Sequence, residues 1–215
     1  MKNFYVNRLT IVSLFFLLMV ISGCGSTPPS KFYTLHSLGD IDTRQQSTSA
    51  IPGISVGIRQ IEIPNNVDRP QIVTRSSLNE LKIAEFDRWA GSLRENIASI
   101  LAENLSLLLA SDRVLSYPWD SAVKIDYWIT VHVLRLEGIP GDHVSLKAQW
   151  TISNSKEDKE TVIRISDLRE KISENSYEAM VAAMGRTFES LSREIASEIK
   201  KRKDQEKLSS AGIIK

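Results

Sequence analysis

The sequence predicts a single α/β domain in which a mixed, largely antiparallel sheet with a three-strand meander is packed by two long amphipathic helices. Three observations predict it. Apolar and polar residues alternate strictly on both sides of Pro140-Gly141, the period of a half-buried strand. Two other stretches, 93–108 and 177–199, repeat apolar residues at helical spacing. The remaining apolar runs are short and bounded by Pro, Asn, Gly or Ser, as strands joined by turns are.

The first element lies ahead of that domain. Lys2 and Arg8 flank the start of an apolar run, Leu9 to Val20, about a dozen residues long, whereas roughly 20 are needed to span a bilayer. A run this short reads as a cleaved export signal rather than a transmembrane helix. Ile21-Ser22-Gly23-Cys24 closes it: an aliphatic residue, a small one, Gly, then the only cysteine of the chain. The order looks like a bacterial lipobox, in which the signal is cut between Gly23 and Cys24 and lipid is attached to Cys24. Residues 1–23 are therefore expected to be a lipoprotein signal peptide and 24–30 a lipidated tether. The expected modification is an S-diacylglycerol and an N-acyl group on Cys24, with no other cofactor. Gly25 stands where an Asp would resemble an inner-membrane retention signal, so the expected location is the periplasmic face of the outer membrane. Gly25 to Ser30, stiffened by Pro28-Pro29, spans roughly 20 Å fully extended. The domain should sit close to the lipid surface.

The domain itself is expected over 31–203. Lys31 to Leu35 has strand composition and ends before Gly39-Asp40; residues 40–50 are polar and aperiodic, a loop. Ile54, Val56 and Ile58 form a second strand whose alternation slips before Ile61 and Ile63, which suggests a bulge. Pro70–Thr74 and Leu78–Ala84 read as two short strands around Arg75-Ser76-Ser77. Ser92 with Glu95 forms a capping box, followed by Leu93, Ile97, Ile100, Leu101, Leu105 and Leu108 on one helical face ending near Ala110-Ser111. Val114–Ser116 is a short strand before a turn at Tyr117-Pro118-Trp119-Asp120.

In the meander, Val123 to Val133 and Val144 to Ile152 make a hairpin in which Val131 faces Trp150 and Ile129 faces Ile152. Both apolar sets then share one face, as a correct register requires. Glu160–Ile165 is the third strand. The last helix is expected to start from Asn175 as N-cap with Glu178 at N3. Its stripe is Tyr177, Met180, Val181, Met184, Phe188, Leu191, Ile195 and Ile199, and Ala179, Ala182, Ala183 and Gly185 permit close backbone approach. Lys200-Lys201-Arg202-Lys203 complements the helix C-terminal dipole or touches anionic headgroups. Residues 204–215 are expected to be a flexible tail.

Composition narrows the function. Without residues 1–23 the chain carries 25 Lys and Arg against 26 Asp and Glu, so no basic field supports nucleic-acid binding. About 190 residues suffice for one real core. No cysteine remains for a disulfide once Cys24 is modified. His132 pairs with Gln149 in the expected hairpin, about 20 Å along the strand from His143, so the two cannot share a metal. No HExxH, CxxC or G-x-S-x-G occurs, and no phosphate-binding loop. The chain is read as a non-enzyme. What remains is binding: Trp128, Leu134 and Leu136 lie on the polar-side face of the first meander strand, a candidate partner- or lipid-binding face unless a helix or loop covers it.

The order of these segments resembles a known family. A lipobox followed by Lys31-Phe32-Tyr33-Thr34-Leu35, then Glu85-Phe86-Asp87-Arg88-Trp89-Ala90 leading into the Ser92 helix, is similar to the ABC-type transport auxiliary lipoproteins. Arg135-Leu136-Glu137-Gly138, Leu146-Lys147-Ala148-Gln149-Trp150 and the closing amphipathic helix extend the likeness over essentially all of the mature chain. The resemblance implies an outer-membrane lipoprotein that docks an intermembrane lipid transport system. Its expected partners are an MCE-domain protein and inner-membrane transporter components, and a homo-oligomeric ring is an option it leaves open. It supplies no catalytic residues. The alternative is a structural or assembly lipoprotein of another outer-membrane complex that handles no lipid. Lipid co-purification read by mass spectrometry separates the two.

Overall fold

A computed structural model describes residues 27–38, 53–119, 123–155 and 161–210. Ten elements follow one another. They are β1 (Lys31–Tyr33), β2 (Val56–Ile58), β3 (Gln71–Ser77), β4 (Glu80–Trp89), α1 (Leu93–Leu109), β5 (Val114–Ser116), β6 (Tyr127–Ile139), β7 (His143–Asn154), β8 (Thr161–Lys171) and α2 (Tyr177–Ser210). The strands form two sheets, of order β1-β4-β3 and β5-β2-β6-β7-β8. In the larger sheet β2 runs parallel to β5 and β6, while β6, β7 and β8 make the antiparallel meander. The sheet is thus mixed and largely antiparallel, as the alternation predicts.

The meander register agrees with the sequence reading from Tyr127 to Val133, beyond which it is shifted by one residue. Val131 faces Trp150, Ile129 faces Ile152 and His132 faces Gln149. The strand begins later than Val123, at Tyr127, and β8 runs on to Lys171, well past Ile165. The slip between Ile58 and Ile61 is also present. After β2 the chain rejoins the same neighbour, since Glu62 N–H donates to Val131 and Val133 N–H donates back to Glu62. The β3–β4 turn is at Leu78-Asn79 rather than at Arg75–Ser77, which belong to β3. Beyond that turn β4 continues to Trp89.

Both helices begin with a serine cap. Ser92 Oγ accepts from Glu95 N–H at 3.3 Å, the backbone half of the expected box. For α2 the cap is Ser176, whose Oγ accepts from Ala179 N–H at 3.1 Å; Asn175 stands one residue outside it. Ala110, in the left-handed region at φ 49°, ends α1 and donates to Leu107 while Ser111 N–H donates to Ser106. This closes the last turn in the manner of a Schellman cap.

The core is continuous. Tyr127, Ile129, Val131 and Val133 of β6, Val144, Leu146, Ala148, Trp150 and Ile152 of β7, and the α2 stripe Met180, Met184, Phe188, Leu191, Ile195 and Ile199 are all buried in it. Ile97, Leu101, Leu105 and Leu109 bring α1 into the same cluster. Each Val, Leu, Ile, Met or Phe side chain among these contributes about 1.5–3 kcal/mol on burial. The segment after β1 is tied to α1 by two asparagines eight residues apart. Leu35 N–H donates to Asn96 Oδ1 and Leu38 N–H to Asn104 Oδ1, both at 2.7 Å. The fully buried Asn104 also donates to Ser192 of α2 at 3.3 Å. Gly185 serves this same segment, because a Cβ there would stand 3.4 Å from the His36 carbonyl.

α2 does not fray after Lys203. It continues through Ser210, held by Glu206, which accepts from the buried Tyr127 hydroxyl and from Asn154 Nδ2 at 2.9 Å. Lys200 to Lys203 therefore lie within the helix, and the basic residue of its last turn is Lys207.

Candidate functional site

Strand alternation places the side chains of Trp128, Thr130 and His132 on the face of β6 opposite the core. The strictly parallel pairing Gly57↔Trp128 puts the Trp128 ring over β2. A Cβ at 57 would stand 2.6 Å from Trp128 Cε3, so the ring occupies the space that a side chain there would need. Trp119 packs on Trp128 with centroids 4.9 Å apart, and Tyr117 meets Trp119 edge-on at 5.4 Å. The Arg59 guanidinium lies 5.0 Å from the Trp128 ring centre, within cation–π range. This three-ring cluster escapes the sequence reading, which takes Tyr117 to Trp119 only as a turn. The aromatic content of that turn is the signal that was available.

The three residues proposed for one face do not share it. Leu134 is the extra residue of a bulge between Val133 and Arg135, and it is 49 % exposed. A bulge advances the chain by one residue and flips the phase of all that follows. Leu136 therefore falls on the core face, opposite Leu146, and is 2 % exposed. Trp128 keeps its place. The exposed apolar residues that do accompany it are Ile163 and Ile165 of β8. Their cross-sheet rows are Thr130–Thr151–Ile163 and His132–Gln149–Ile165. Gly23 and Cys24 lie outside the described residues.

Many charged groups on the domain are engaged with each other. His132 Nδ1 lies 2.9 Å from Glu62, and His143 Nδ1 lies 2.9 Å from Asp142. Arg75 of β3 bonds Glu137 of β6, which joins the two sheets. Arg135 and Lys147 both bond Asp167 across three strands. Among the described residues no group of three or more His, Cys, Asp and Glu is placed to hold a metal.

Among the described residues the shifted groups are the Arg75 guanidinium, raised by its hydrogen bond to Glu137, and three phenols. Tyr33 is pushed up to about 12 by burial and by its hydrogen bond to Asp87. Tyr127 is raised further, by burial and by Glu206, and Tyr177 is raised by burial. Each stays protonated near neutral pH and serves as a fixed donor or packing group, not as a proton carrier.

Two of the hollows among the described residues bear on binding. One, of about 290 Å³, lies between Tyr33, Trp89, Gly91 and the first turns of α1 at Ser92 and Asn96. The other, of about 480 Å³, runs between β8 and α2 and is lined by Trp150, Arg164, Arg193 and Glu194. Trp150 Nε1 donates to Ser166 at 2.8 Å, and Ser166 in turn bonds Glu194, so that groove's floor is already satisfied. The geometry offers surfaces for binding. No helix among the described residues is long and apolar enough to cross a membrane.

Comparison with known proteins agrees with this picture. Residues 33–196 match the family described as ABC-type transport auxiliary lipoprotein component. The chain is 23 % identical over 181 residues to the intermembrane transport lipoprotein PqiC of Escherichia coli, covering 84 % of this chain and 92 % of that one. The PqiC of Shigella flexneri matches at the same identity and coverage. A crystal structure of an uncharacterized protein superposes with a TM-score of 0.64 at 21 % identity, covering 80 % of this chain and 99 % of that one. Protein XCC0632 from Xanthomonas campestris superposes with a TM-score of 0.63 at 14 % identity, covering 82 % and 99 %. These two likenesses are likenesses of fold.

Proposed function

The chain belongs to the ABC-type transport auxiliary lipoprotein component family, and from that premise we propose that it is the outer-membrane docking piece of an intermembrane lipid transport system. Cys24 carries the lipid and holds the domain on the periplasmic face of the outer membrane. The domain is non-catalytic and binds an MCE-domain protein, which links it to inner-membrane transporter components. The exposed face around Trp119, Trp128 and Ile163 is the surface offered to that partner.

The observation that carries this reading is coextension. The matched residues start in β1 and end within α2, so all ten described elements belong to the family's own domain. The relatives named PqiC support the transport role, and the absence of a catalytic motif from the sequence agrees with an auxiliary one. Photo-crosslinkers placed at Trp119 and Ile163 of the full-length lipoprotein, activated in native envelopes, test it. Capture of an MCE-domain protein is the expected result. Capture of outer-membrane assembly components alone would overturn the transport reading.

A further inference from the structure

The β3–β4 hairpin ends in an apolar tip. Leu78, in the turn, is 92 % exposed, and Leu81 and Ile83 on β4 are 37 % and 47 % exposed. Single exposed leucines are ordinary, but here three large apolar residues project from one hairpin. The tip is ordered: Arg75 Nη1 donates to the Ser77 and Leu78 carbonyls at 3.2 and 2.8 Å, and the same guanidinium is fixed by Glu137. Its exposed charges, Glu80 and Lys82, cancel.

The register of β1 tells where this tip points. β1 pairs with β4 in parallel, Lys31 beside Asp87, so the chain enters β1 from the side on which β4 begins, the hairpin side. Cys24 is seven residues before Lys31, and Glu80, next to the turn, is seven residues before Asp87. Seven extended residues cover about 23 Å in either case. The chain before β1 is therefore long enough, when extended, to reach level with the hairpin tip. From this geometry we infer that the Leu78–Ile83 tip is a second membrane contact, inserting its apolar side chains into the same lipid surface that holds Cys24. The inference rests on the lipid-anchored reading of Cys24. Because the tip is nearly neutral, contact depends on apolar insertion and not on anionic headgroups. Two points of attachment also fix the domain's orientation, which a single flexible tether leaves open.

The chain has one cysteine, and the S-linked diacylglyceryl group blocks its thiol, so a second cysteine can be labelled alone. The test places an environment-sensitive fluorophore at Asn79→Cys in the full-length lipoprotein, reconstituted in vesicles of phosphatidylethanolamine and phosphatidylglycerol. A label at Ala90→Cys, at the far end of β4, is the reference. A blue shift at 79 with quenching by nitroxide lipids, none at 90, and little change on varying the phosphatidylglycerol fraction is the expected result. Leu78→Asp with Leu81→Asp should cut the inserted fraction at least about tenfold, with circular dichroism unchanged. Mass spectrometry of the N-terminal lipopeptide reads the premise separately. An acylated protein whose label at 79 stays unquenched overturns this inference alone; a protein without lipid on Cys24 overturns both. A label shielded in native envelopes but not in vesicles assigns the tip to a protein partner and overturns the inference as well.

Discussion

Gly57 shows how much one hydrogen atom can decide. The Trp128 ring lies where a Cβ would go, with Ile125 also only 3.3 Å from that point. Gly57→Ala should therefore displace the ring and cost about 1–3 kcal/mol, the usual range for overpacking. Adding Trp128→Ala should remove most of that increment, a coupling that a double-mutant cycle in urea reads directly. The α2 cap is Ser176, one residue past the Asn175 that the sequence reading expects. Ser176→Ala should cost about 1 kcal/mol, because it frees the Ala179 N–H. Asn175→Ala should cost far less, and comparison of the two melts checks the assignment. Tyr33 supplies a pH dependence. Its folded-state pKa is raised, to about 12, from about 10 in an unfolded chain. Its contribution is thus complete below about pH 10 and lost as pH climbs toward 12. Tyrosinate absorbance should show this phenol titrating late, and Tyr33→Phe should delete that step.

At the level of elements, the meander was legible because local alternation and turn chemistry agree there. Pro140-Gly141 centres the hairpin, with Gly141 at φ 74°, and only one register buries both apolar sets. The bulge at Leu134 was not legible. No Gly or Pro marks it, and an unbroken alternation reads equally well up to that point. The consequence was a misplaced Leu136. The end of α2 failed for a different reason: Asp204 to Ser210 has no apolar stripe, so periodicity falls silent. What holds this stretch is a long-range bond from Tyr127, 79 residues earlier. Glu206→Ala should then leave the buried Tyr127 phenol without this acceptor and cost about 1–3 kcal/mol. Removal of residues 204–215 should cost a similar amount, whereas a free tail would cost nothing; urea denaturation of both variants distinguishes these.

For the whole molecule, the sequence reading expects an anchor and a core but hides how they are oriented to one another. The expected anchor is a contiguous motif. The candidate surfaces are not: Tyr117, Trp119 and Trp128 gather from two separate segments, and the hairpin tip faces the tether only because β1 joins β4 in parallel. That pairing is a choice of topology, and three residues of β1 carry no local sign of it. If tether and tip act together, the tether's shortness is itself functional, since it keeps the tip at high effective concentration over the lipid. Inserting about 20 Gly and Ser residues before Lys31 lengthens the path from Cys24 from about 7 to about 27 residues. By the −3/2 power of length this lowers that concentration about eightfold. Acylation and co-sedimentation with membranes should be unchanged, while nitroxide quenching of a label at Asn79→Cys falls. Quenching that survives the insertion intact would mean the tip binds lipid without help from the tether, and quenching lost with wild-type tether length would place the domain on its anchor alone.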